Sequence, residues 1–142
     1  MKNRTIWRIM LPVGIALWVA FIWSRSLMSG DASAEDSNQV ATGLMGLFGW
    51  ETQPEWLIYT IRKTAHLAEF AVLGVLWGVW GRVCARRLWP WGLAVGAVDE
   101  CLQFFAPGRA PMVTDVVIDT AGLLCGVAIV WIFARLRHKK KK

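Results

Sequence analysis

Four stretches of the chain, 6–24, 64–81, 88–106 and 111–134, are apolar over nearly the length a helix needs to cross a bilayer. None is free of ionisable groups, but the charges sit near one end: the longest uncharged runs are 9–24, 70–81, 88–98 and 120–134. The pattern predicts an all-α integral membrane protein of about four transmembrane helices in a single domain over 1–142, followed by a basic tail at 135–142.

Between the first two spans lies the one sizeable loop. Its first part, 24–38, is rich in Ser, Asp, Gly and Asn and reads as irregular. In its second part Val40, Leu44, Leu47 and Phe48 recur at helical spacing before Gly49, which predicts a short amphipathic helix over 39–48 lying on the outer membrane surface. Pro54 suits a first helical turn, so the second span can begin there and run unbroken to Gly81.

Composition agrees with this class. With glycine counted and tyrosine left out, the apolar share is about 65 %, against 45–50 % for soluble domains. Ten Trp and six Phe accompany only 18 % charged residues. Sixteen Lys and Arg against ten Asp and Glu give a net charge of +6. Twelve of the basic residues flank the spans on one side, at Lys2, Arg4 and Arg8, at Arg82, Arg86 and Arg87, and from Arg135 to Lys142. The other side receives Arg25, Arg62, Lys63 and Arg109 among mostly acidic neighbours. The positive-inside rule then places both termini in the cytoplasm. The first span reads as an uncleaved anchor, because Ala32-Ser33-Ala34 lies too far beyond it for a cleavage site. The tail is a topology determinant with anionic headgroups as its partner; no nucleic acid is implied. Cys84, Cys101 and Cys125 have no metal or redox spacing and read as small core residues.

Gly74 and Gly78, Gly92 and Gly96, and Gly122 and Gly126 repeat at four-residue spacing, which predicts close packing of the last three spans within the chain. The ionisable groups then fall at one depth. Arg62, His66 and Glu69 stand at i, i+4 and i+7, and Asp115 and Asp119 continue into Gly122 and Gly126 as one stripe. On the third span Glu100 and Gln103 share a face. Asp99 diverges from Glu100 by about 100°, so Glu100 is the carboxylate expected to face inward. Five acidic groups at one depth on three helices predict a shared polar cavity open to the outside, since a lone carboxylate in a bilayer is costly.

Arg62-Lys63-Thr64-Ala65-His66-Leu67-Ala68-Glu69-Phe70, Asp99-Glu100-Cys101-Leu102-Gln103-Phe104-Phe105-Ala106-Pro107-Gly108-Arg109 and Asp115-Val116-Val117-Ile118-Asp119-Thr120-Ala121-Gly122 resemble, in order and spacing, three signature blocks of the VanZ-like membrane protein family. The Trp23-Ser24-Arg25-Ser26 exit from the first span is similar to a Ser-rich segment of that family. Phe70 stands where the family usually has Tyr, and Asp119 where it usually has Asn. The resemblance implies a multi-pass protein of the bacterial cytoplasmic (inner) membrane and, from the member that names the family, a link to teicoplanin resistance.

Two functions fit these residues. In one, Arg62, Lys63 and Arg109 engage an anionic lipid-linked or cell-wall component, with Arg109 as a planar clamp and Glu69, Glu100 and Asp115 orienting the cations. The ligand-binding set is then Arg62, Lys63, His66, Glu69, Glu100, Gln103, Arg109, Asp115 and Asp119. In the other, an intramembrane enzyme uses His66 with Glu69 or Glu100 as general acid and base on a lipid-linked substrate. The cluster also reads as an ion-pair lock between helices. One His among carboxylates matches no standard zinc set, and no phosphate loop or nucleophile elbow occurs, so no metal or cofactor is assigned.

Overall fold

The computed structural model describes residues 2–139, which form five helices and no strand: α1 (Lys2–Ser26), α2 (Gly30–Phe48), α3 (Glu55–Cys84), α4 (Pro90–Gln103) and α5 (Val113–Lys139). The last three residues of the predicted basic tail, 140–142, lie outside the described residues. Three helices are long and apolar enough to cross a membrane, over Thr5–Ser26, Glu55–Cys84 and Val113–Arg137. The segment predicted as a span over 88–106 is helical only from Pro90 to Gln103. At 1.5 Å per residue its 14 residues reach about 21 Å, short of the roughly 30 Å of a hydrocarbon core.

The expectation of irregular chain over 24–38 is corrected. Ser29 accepts a hydrogen bond from the Ala32 amide and caps α2, Asp31 stands in its first turn, and the helix starts nine residues earlier than the apolar pattern indicates. Ser33, Ser37 and Ala41, at i, i+4 and i+8, are buried against the bundle, while Val40, Leu47 and Phe48 are exposed. Small side chains are what permit α2 to lie close.

Contacts fix the directions of the helices. Lys63 meets Asp115 and His66 meets Asp119, so α3 and α5 run parallel. Ser26 bonds Asp99 and Trp23 bonds the Val95 carbonyl, so α1 and α4 are parallel too. Gly92 abuts Leu123 and Gly96 abuts Asp119, which makes α4 antiparallel to α5. Ser26, His66, Asp99 and Asp119 therefore lie at one end of the bundle. At the other end Arg8 shares a cavity wall with Trp80 and Arg86, and Arg82 shares another with Arg137.

The most extensive interface joins α3 to α5 and depends on glycine. A Cβ at Gly122 would strike the Leu67 carbonyl, one at Gly74 the Leu123 carbonyl, and one at Gly126 the Ala71 carbonyl, with the Val75 nitrogen 2.7 Å away. This is small-residue packing of membrane helices, backbone against backbone. The Gly92 and Gly96 pair receives larger groups, the Leu123 side chain and the Phe70 ring. Ile15, Ile22, Phe70, Leu73 and Leu123 form the apolar core beside it. Most other large apolar side chains point outward, as a lipid-facing surface requires. Gly126→Ala should lower the detergent-solubilised thermal midpoint, at a cost of about 1–3 kcal/mol from overpacking. Gly43→Ala, where an added Cβ meets nothing within 4 Å, should not.

Candidate functional site

The loop between α4 and α5 organises the polar end. Gly108 adopts a left-handed φ of 73°, and its backbone lies so close to Gly30 that a Cβ at Gly30 would strike the Gly108 carbonyl. The Gly30 amide donates to the Pro107 carbonyl at 2.8 Å, tying the start of α2 to this turn. Arg109 follows. Its Nη1 donates to the carbonyls of Arg25 and Ser26, both at 3.3 Å, and its Nη2 to Ser33 Oγ at 2.8 Å. The guanidinium thus joins the Met28 amide at the Arg25 carbonyl, satisfies the Ser26 carbonyl and fastens the end of α1 to α2. Burial, and after it the neighbouring Arg62, hold the Arg109 pKa below its ordinary value. Arg109, expected as the clamp for an external anion, spends its fork on the fold.

Arg62, His66 and Glu69, aligned on α3 as their spacing predicts, line one cavity of about 120 Å³. Its other walls include Arg25, Arg109, Asp36 and the buried hydroxyls of Ser26, Ser33 and Ser37. Arg25 is held by Asp36 at 2.5 Å. Among the described residues Arg62 makes no hydrogen bond or ion pair, and neither does the Glu69 carboxylate; the hydrogen bond to Glu69 is from the Trp18 indole to its backbone carbonyl, at 2.9 Å. Arg62 and His66 also border a second cavity of about 300 Å³ with Lys63, Tyr59 and Asp115.

Half-buried Lys63 and buried Asp115 form an ion pair, and the Lys63 ammonium stands 5.0 Å from the Tyr59 ring centroid. Glu100 and Gln103 form a separate pair. Gln103 Nε2 donates to Glu100 Oε1 at 3.4 Å, and Glu100 Oε2 accepts the Met112 amide at 3.0 Å just before α5 begins. Neither residue lines the cavity of Arg62, His66 and Glu69.

The expectation that only Glu100 of its pair faces inward is corrected: Asp99 is 0 % exposed and Glu100 7 %. Because α4 is wedged between α1 and the start of α5, both flanks of its last turn are covered. Ser26 Oγ donates to Asp99 Oδ1 at 2.6 Å, and a ligand atom of Asp99 lies within 4.8 Å of others on His66 and Asp119. Sequence reasoning missed Asp99, Ser26, Ser33, Arg25 and Asp36 as members of the site. The Ser-rich exit from the first span was the available signal for Ser26.

The VanZ/LLP1 family model matches residues 13–134. The chain belongs to the VanZ/LLP1 family. No curated protein and no solved structure matches it. Within the matched region, 62–70 and 115–122 pair α3 with α5, and 99–109 supplies Asp99, the Glu100 hydrogen bonds and the Arg109 clip.

The Lys63 and Asp115 pair can be tested directly. Lys63→Met leaves a buried carboxylate without its partner and should cost about 3–5 kcal/mol. Lys63→Met combined with Asp115→Leu should recover most of it, read as thermal midpoints in detergent.

Proposed function

We propose that this VanZ/LLP1 protein crosses the bacterial cytoplasmic membrane four times, with both termini in the cytoplasm. Its polar end faces outward and binds the phosphate or carboxylate of an anionic lipid-linked or cell-wall component. Arg62 carries the binding reading. It is a cation on a cavity wall with no partner among the described residues, beside two other guanidiniums that are already engaged. An anion entering there gains a charge-assisted hydrogen bond to Arg62 without breaking one elsewhere. Basic residues at the opposite end, Arg8, Arg82, Arg86 and Arg137, support the orientation. α4 supports the fourth crossing despite its length, because Trp89 and Trp91 stand at its start as Trp anchors do at a membrane interface, and the exposed Phe104 and Phe105 extend its apolar surface past Gln103. The exposed Val40, Leu47 and Phe48 of α2 give it an apolar face for the outer lipid surface.

The family link extends this reading to glycopeptides: holding an envelope component at the membrane surface changes what teicoplanin meets there. His66 and Glu69 support a second reading as an intramembrane acid/base enzyme, since they share the cavity and the Glu69 carboxylate is unpartnered among the described residues. Glu100, bonded to Met112 and Gln103, is not placed for that role. Turnover of a lipid-linked substrate that Glu69→Gln abolishes would favour the enzyme.

Binding of farnesyl phosphate to the detergent-purified chain, followed by thermophoresis, should weaken about tenfold or more in Arg62→Gln, the scale of one lost charge-assisted hydrogen bond. Unchanged binding in that variant, or none by the wild type, overturns the anion reading. In a Gram-positive host, wild type should shift teicoplanin but not vancomycin susceptibility, and Arg62→Gln at equal membrane level should not. For the orientation, a membrane-impermeant maleimide should label Gly46→Cys in intact cells lacking the native cysteines, and Arg86→Cys only after permeabilisation.

A further inference from the structure

His66, Asp99 and Asp119 come from three different helices, and each offers a ligand atom within 4.8 Å of the others. Both aspartates are almost wholly inaccessible, at 0 % and 1 % exposure. Yet Asp99 Oδ2, both carboxylate oxygens of Asp119, and His66 Nδ1 are buried with no hydrogen-bond partner. Native proteins leave few such groups unsatisfied, and buried carboxylates least of all. An ion-pair lock does not account for the set. His66 Nδ1 lies 3.3 Å from Asp119 Oδ1 without hydrogen-bond alignment, and even a full pair there would leave Asp119 Oδ2 and Asp99 Oδ2 bare.

The spacing fits a different occupant. Two ligand atoms about 2.1 Å from a tetrahedral centre stand about 3.4 Å apart, which is close to the separation of Nδ1 and Oδ1. We propose that His66, Asp99 and Asp119 hold a divalent transition-metal ion, zinc or manganese. One imidazole with two carboxylates is outside the standard zinc sets, but its nitrogen donor disfavours calcium and magnesium, which take all-oxygen sets, and leaves a mixed N/O site open to zinc or manganese. The charge closes as well: two carboxylates and a neutral imidazole around a dication form a neutral unit, the form least costly to bury.

Ser26 has the place of an outer partner. By donating to Asp99 Oδ1 at 2.6 Å it orients that carboxylate and leaves Oδ2 for the ion. Three protein ligands leave a fourth position open, and both His66 and Ser26 also line the cavity of Arg62, so a water or substrate oxygen has access from that side. The trio depends on Asp119, which brings two of the unpartnered oxygens. It does not rest on the anion reading, because an ion can bind with no envelope component present.

The test uses the untagged full-length chain in detergent, stripped with chelator, reloaded with Zn²⁺ or Mn²⁺, gel-filtered and analysed by plasma mass spectrometry. Wild type should elute with about one equivalent of one of these metals and melt at a higher temperature with it than without. Asp119→Asn and His66→Gln should lose the metal and the thermal shift, Ser26→Ala should weaken binding about 10–100-fold, and the exposed Glu35→Gln should change neither. A wild type that carries no more metal than a buffer blank overturns the proposal, and so does a folded Asp119→Asn that keeps the full equivalent. The wild-type stoichiometry decides even where a variant fails to fold, and no envelope ligand enters it, so a failed anion reading leaves it untouched.

Discussion

The close approach of α3 to α5 is the constraint on which the other features depend. Gly74, Gly122 and Gly126 remove the side chains that would hold the two backbones apart. Because the helices run parallel, the same register that seats glycine against carbonyl at Leu67 and Ala71 places Lys63 against Asp115 and His66 against Asp119 one to two turns away. In lipid there is little hydrophobic drive between helices, so dense backbone packing and the polar pairs carry much of the association. The glycine stripe and the charged stripe are two segments of one seam.

A second device closes the polar end. Arg109 does what a capping residue does for a helix terminus, but from a loop far away in sequence: it occupies the last carbonyls of α1 and holds Ser33 of α2 in the same grip. With that guanidinium committed, and Arg25 held by Asp36, Arg62 is left as the cation with spare donors. An arginine that resembles a ligand clamp in sequence is here a structural clip, and the cation on the cavity wall with no partner among the described residues is Arg62.

Much of this was legible in the chain. The period of apolar residues located the long helices, and the i, i+4, i+7 row of Arg62, His66 and Glu69 placed all three on one cavity wall. The i, i+4 row of Asp115 and Asp119 matched its two partners on α3. Three features were hidden for separate reasons. The start of α2 was masked by small polar residues, whose turn-like composition outweighs helical spacing when the packed face is Ser and Ala. The inward position of Asp99 needed knowledge of what lies on each side of α4, which no single-helix wheel contains. The shortness of α4 follows from its last turn giving way to the Gly108 bend, whereas hydropathy alone continues through Phe104 and Phe105.

The buried polar groups Ser26, Asp99, Glu100, Gln103, Asp115 and Asp119 gather at one end of this bundle, and the core beyond them is formed by Phe70, Leu73, Leu123 and Ile15. That apolar layer is an electrical insulator. Beyond Glu69 and Asp119, the described residues of α3 and α5 carry no further carboxylate or imidazole before Arg82 and Arg135. Charge at the polar end is therefore kept apart from the arginines at the far end by a layer that has no ionisable side chain of its own.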